Sequence, residues 1–148
     1  EKSRIVDFRT GQGEVFNLLG FTFYWGKDRK RKPLLKLRTQ TEKLRQGVKA
    51  FGEWIRENRN RFKLSTLWEQ AAQRIRGHYA YFGVALNERT FTFYFLCTKL
   101  LYKWLNRRSQ KYSFTGEQFA KRIRRHPLPK PWGKEALNIT QGVFEWAI

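Results

Sequence analysis

Between positions 99 and 125 the chain places nine basic residues, Lys99, Lys103, Arg107, Arg108, Lys111, Lys121, Arg122, Arg124 and Arg125, against one acid, Glu117. Lys99, Lys103 and Arg107 recur every fourth position, which on a helix stacks them up one side. A merely solvated helix face usually mixes acids among its bases for pairing. Here they are missing, so the ridge suits phosphates. A second cluster, "KDRKRK" at 27–32, brings Lys27, Arg29, Lys30 and Arg31 to an expected β turn. In "RGHYAYFGV", Arg76 and His78 stand beside Tyr79 and Tyr81, rings of the kind that stack on unpaired bases. Tyr79 and Phe82 also fit a helical core stripe, which leaves His78 and Tyr81 as the surface candidates. Lys121 and Tyr79 aside, these basic residues with His78, Tyr81 and Lys130 make up the candidate RNA-binding set.

Other chemistries lack their residues. Metal-dependent nucleotide transfer needs carboxylates close enough to share two cations. The only aspartates are Asp7 and Asp28, and no two acidic residues are adjacent. Cys97, His78 and His126 are the whole supply of soft ligands, and none lies at zinc-finger spacing. No serine or cysteine has an identifiable base and orienting acid beside it. Neither a catalytic residue nor a metal site is expected, which leaves binding.

The whole composition points the same way. Thirty-one Lys and Arg against twelve Asp and Glu give a formal charge of +19 on 148 residues, a field that repels itself until a polyanion neutralises it. The 41% hydrophobic and 17% aromatic content is far above that of a disordered basic tail, so the charge decorates a folded body. No apolar run approaches the roughly 18 residues of a membrane span, and no signal peptide is present, so no membrane partner is expected. A lone cysteine suits a reducing cytoplasm. The absence of Met suggests a start inside a longer protein.

Several elements must position the cations. "RIVDF" at 4–8, "VFNLLGFTFYW" at 15–25 and "PLLKLR" at 33–38 read as three antiparallel strands separated by turns. From Thr39 the period changes to that of a helix over roughly 40–59, with Leu44, Val48, Phe51 and Ile55 on one face. Thr66 and Glu69 suggest a capping box opening a second helix, whose stripe is Leu67, Ala71, Ile75, Tyr79 and Phe82 and which Gly77 weakens without ending. A third helix over about 88–108 carries two stripes, Phe91, Phe95, Thr98, Tyr102 and Leu105 beside Phe93, Cys97, Leu100 and Trp104. Thr115 with Gln118 forms a further capping box, for a short helix with Phe119 and Ile123 that stops before Pro127. The expected class is α+β, mainly α: a short antiparallel β segment followed by a helical bundle.

Five blocks in order resemble group II intron reverse transcriptases. "FNLLGFTFYWG" is similar to the last block of the palm in that family. "LRQGVKAFGEWIRENRN", "RIRGHYAYFGV", "LYKWLNRRSQK" and "RRHPLPKP" resemble, in sequence, its maturase-specific thumb, and "EKSRIVDF" resembles the segment that follows the catalytic aspartates. The likeness covers residue 1 to about 131. "WGKEALNITQGVFEWAI" does not match the DNA-binding and zinc-nuclease extensions of some relatives, so the likeness does not extend to target-DNA binding or second-strand cleavage.

The resemblance implies a palm remnant over 1–38, a thumb bundle (domain X) over 39–126 and a Pro-containing tail over 127–148. It implies a parent that is a magnesium-using RNA-directed DNA polymerase and splicing cofactor, with the catalytic Tyr-Ala-Asp-Asp turn upstream of Glu1. The partners it implies are group II intron RNA and the template–primer duplex, together with the remaining polymerase domains or a second copy of the chain. The compartment is cytoplasmic, bacterial-type or organellar. In "YKWLNRRSQKY" at 102–112, Trp104 and Leu105 are then expected to anchor the helix while Lys103, Arg107, Arg108 and Lys111 project to the phosphate backbone. An intron-independent reverse transcriptase and a dimerising docking module, using exposed strand edges at 4–38, are the alternatives.

Overall fold

The computed structural model describes residues 5, 8, 9, 15–84, 86–111 and 113–131. The strand expected at 4–8 and the stretch 132–148 fall largely or wholly outside them. The fold is α+β and mainly α. Three antiparallel strands, β1 (Phe16–Leu18), β2 (Phe21–Lys27) and β3 (Pro33–Thr39), form a sheet in chain order.

The single strand expected at 15–25 is in fact two. Leu19 and Gly20 both take positive φ, 49° and 83°, which folds Leu18 back onto Phe21 in a two-residue hairpin. A primed turn of this kind matches the twist of the strands and needs a residue free of left-handed strain, which Gly20 supplies. Aromatic residues on both sides hide the break when only strand composition is read. The second hairpin pairs Lys27 with Pro33, and its tip is pinned where the Lys32 amide donates to Asp28 Oδ1 at 2.8 Å. Arg31 is left-handed there, at φ 61°.

Four helices follow: α1 (Thr41–Asn58), α2 (Leu64–Phe82), α3 (Arg89–Leu105) and α4 (Gly116–Arg125). Phe51, Trp54 and Ile55 of α1 meet Leu67, Trp68, Ala71 and Ile75 of α2, and Phe93, Tyr94, Cys97, Leu101 and Leu105 of α3. Phe119 and Leu128 close the core, so the proline-containing segment contributes to it. The stripe of α1 holds as expected, with Leu44 and Val48 packed at its margin. That of α2 holds through Ile75, with Tyr79 half-buried.

Two expectations need correction. Helix α2 opens at Leu64 after Lys63, with no side-chain cap, so Thr66 lies inside the first turn and makes no box with Glu69. On α3 the buried line is Thr90, Phe93, Tyr94, Cys97, Leu101 and Leu105, and Phe91 and Phe95 are 39% and 61% exposed. With aromatic residues at 91, 93, 94 and 95, periodicity alone cannot select the inner face. The Thr115–Gln118 capping box of α4 forms as expected.

The sheet is joined to the bundle through Asn87, which is fully buried. Its Oδ1 accepts from the Thr39 amide at 3.0 Å, and its Nδ2 donates to Thr39 Oγ1 and to the Phe82 carbonyl, both at 2.8 Å. One side chain thereby satisfies the end of β3 and the end of α2, just before α3 begins. Buried polar groups without such partners are costly, so the junction is geometrically specified.

Candidate nucleic-acid interface

Helices α1 and α3 run close together because α1 carries glycine where α3 presses on it. A Cβ on Gly52 would stand 3.3 Å from Leu100 Cδ1, and one on Gly47 would stand 3.3 Å from Phe93 Cε2. This close approach brings the C-terminal ends of both helices together around Trp104, which is half-buried. The Arg59 guanidinium carbon is 4.9 Å from the indole centroid, Lys103 Nζ 5.2 Å and the Arg107 guanidinium carbon 5.4 Å. Cations within about 6 Å of an indole ring are attracted by its electron-rich face. Arg59 also donates from Nε to the Arg107 carbonyl at 3.2 Å and from Nη1 to the Arg56 carbonyl, so its position is fixed from two helices.

The same device recurs. Arg74 lies over Trp54 at 4.6 Å, Arg122 over Trp68 at 5.0 Å and Arg38 over Tyr24 at 5.1 Å. Trp68 is itself held by donation from Nε1 to the His126 carbonyl at 3.0 Å. Acids do little to quench this charge. Between described residues the one ion pair joins Lys49 Nζ and Glu53 at 3.9 Å, and both of its side chains are well exposed. An exposed pair of that kind adds little. The positive field is therefore left open to solvent and to polyanions.

The candidate residues divide by environment. Lys99, Lys103, Arg107 and Lys111 are exposed, as are Lys27, Arg29, Lys30 and Arg31 at the hairpin tip, Arg76 on α2, and Arg124, Arg125 and Lys130 beyond the capping box. Arg108 is half-buried and donates from Nη2 to the Phe62 carbonyl at 3.0 Å, which ties the end of α3 to the α1–α2 connection. Arg122 is half-buried over Trp68. Tyr81 is 54% exposed, but one face of its ring stacks on Phe21 at 5.8 Å and its hydroxyl donates to the Leu19 carbonyl at 2.7 Å.

His78 differs most from its expected surface position. Its ring is half-buried, lies flat on Phe93 with centroids 3.5 Å apart, and meets α1 at Gly47. Burial lowers its pKa from 6.5 to about 4, so it is a neutral packing element at ordinary pH. The cause is that position 78 faces α1 and α3, which a pattern of neighbouring aromatic and basic letters does not reveal. Burial likewise raises the pKa of the Cys97 thiol, leaving an unreactive core residue.

Sequence reasoning missed Arg59 and Arg74, whose indoles come from other helices. No local signal marks such pairs, although a Trp-rich chain with many arginines makes them common. Among the described residues no three His, Cys, Asp or Glu gather where they could hold a metal ion. No helix of the described residues is long and apolar enough to cross a membrane. Set against models of protein families, curated proteins and solved structures, the chain matches none significantly.

Proposed function

We propose that the chain is an RNA-binding segment, the end of the palm and the maturase-type thumb of a group II intron reverse transcriptase, which grips intron RNA and template–primer duplex. The observation that carries the RNA-binding part is the cation group on Trp104: Arg59, Lys103 and Arg107 are held on one indole, and no acid among the described residues is paired to them. A cation braced on a ring loses little freedom when it meets a phosphate, so its contact is made with less ordering cost. The assignment to the family is supported by the collinear blocks from "FNLLGFTFYWG" to "RRHPLPKP". Contacts of this type give affinity and register and read little sequence, because phosphates are alike everywhere.

Titration of the chain with a structured RNA over a range of salt concentrations tests this. If about six phosphates are neutralised, log affinity falls with log salt at a slope of roughly −4 to −5. A slope near zero overturns the proposal.

A further inference from the structure

We infer that the cleft at the C-terminal end of α3 receives one unpaired nucleotide of the bound RNA, taking its phosphate on Lys103 and Arg107 and its base against Asn106 and Gln110. The inference rests on the RNA-binding function proposed above and adds a base-holding site to it. The cleft measures about 480 Å³ and is lined, among the described residues, by Tyr102, Lys103, Asn106, Arg107 and Gln110. That volume lies within the roughly 300–1,000 Å³ usual for small-ligand sites.

Tyr102 and Lys103 stand on the last turn of α3, and Asn106, Arg107 and Gln110 lie in the turn and bend that follow it. Lys103 and Arg107 are both braced on Trp104, at 5.2 and 5.4 Å, so the two cations reach the cleft from a shared support. Asn106 is oriented by its own fold contact: Oδ1 accepts from the Phe114 amide at 2.8 Å, which leaves the side-chain NH2 to donate. Gln110 is exposed, and its turn is closed by Ser109 Oγ donating to the Lys111 carbonyl at 2.8 Å. Tyr102 packs on Phe119 with centroids 5.0 Å apart and supplies an aromatic wall. A bare phosphate would use the two cations and leave two carboxamides and a ring idle. A nucleotide uses all of them, since the Gln110 carboxamide can both donate to and accept from the edge of adenine, the Asn106 NH2 can donate to it, and rings support bases.

Fluorescence anisotropy with the whole chain and three hairpin RNAs tests this: one fully paired, one carrying a single bulged adenosine, and one with an abasic bulge at the same place. The adenosine bulge is expected to bind about tenfold tighter than the paired hairpin, and the abasic bulge no tighter than the paired one. Gln110→Ala should remove most of the adenosine advantage while leaving the paired affinity and the melting temperature unchanged. Equal binding of paired and bulged RNAs, equal binding of abasic and adenosine bulges, or an undiminished advantage in Gln110→Ala each overturns the base site while the RNA-binding function stands. Failure to bind any of the three overturns both.

Discussion

Arg59 at the end of α1 lies over Trp104 near the end of α3, its guanidinium carbon 4.9 Å from the indole centroid, and reaches past the ring to the Arg107 carbonyl. One residue thus couples two helix ends and contributes charge to the surface between them. Its replacement separates the two roles. Arg59→Lys keeps the charge and loses the planar stack and the fixed fork of donors, so it is not a conservative change. Arg59→Lys is expected to lower stability by about 0.5–1 kcal/mol in denaturant unfolding, the scale of an exposed cation–π contact. RNA affinity should fall by less than in Arg59→Ala. Equal stability of Arg59→Lys and the parent would show that the stack contributes nothing.

Arg107 and Arg108 are adjacent and do different things. Arg107 is exposed on the face of Trp104, and Arg108 donates to the Phe62 carbonyl. Arg107→Ala is expected to leave stability within about 0.5 kcal/mol, as surface changes do, and to flatten the salt slope of RNA binding by about one contact. Arg108→Ala should instead cost about 1–2 kcal/mol by leaving a carbonyl without its charged donor. Thermal melting beside RNA titration of the two single variants reads the difference. A common outcome for both would refute the division.

Much of the fold was legible because its signals are local. The strand at 33–38, the α1 stripe and the Thr115–Gln118 box each lie within a few turns of chain, and each formed as expected. What was hidden depends on distant partners. Asn87 reads as an ordinary loop residue until Thr39, 48 positions earlier, is brought beside it. His78 reads as a surface ring until Gly47 and Phe93 enclose it. The cation ridge on α3 was visible as a spacing of four, but its bracing needed Arg59 from another helix.

Asn87→Ala removes the buried junction between sheet and bundle. The Thr39 amide, which is buried, and the Phe82 carbonyl would both lose their partner. A loss of about 2–4 kcal/mol is expected, since unsatisfied buried groups cost about 1–3 kcal/mol each and partial relaxation recovers some of it. Hydrogen exchange should quicken first at Thr39 and through β3. Unchanged protection there would show that the sheet is held by Phe21 against Tyr81 and Phe82 instead.

Trp104→Ala tests the platform itself. The ring is half-buried, so truncation should cost less than the roughly 3–5 kcal/mol of a fully buried tryptophan. About 2 kcal/mol is expected, together with weaker RNA binding, because Arg59, Lys103 and Arg107 lose their common support. Trp104→Phe should restore most of both properties. Loss of stability with unchanged RNA binding would confine Trp104 to a packing role.

His78 gives the fold a defined response to acid. Its folded pKa of about 4 lies below its ordinary value of 6.5 because burial against Phe93 and Gly47 disfavours the imidazolium. The unfolded chain therefore binds a proton that the folded chain refuses, and stability rises with pH wherever that holds. Its contribution is fully present above about pH 6.5, declines as pH falls towards 4, and is constant below that. Denaturant unfolding at pH 7.5, 5.5 and 4.5 should show a progressive loss from this residue of about 1–2 kcal/mol, less than the full shift would supply because the ring stays partly exposed to screening solvent. His78→Phe, which keeps a flat ring on Phe93, should flatten that dependence while remaining folded at neutral pH. If the variant and the parent lose stability in parallel between pH 6.5 and 4, the acid response belongs to the carboxylates and His78 is not its source.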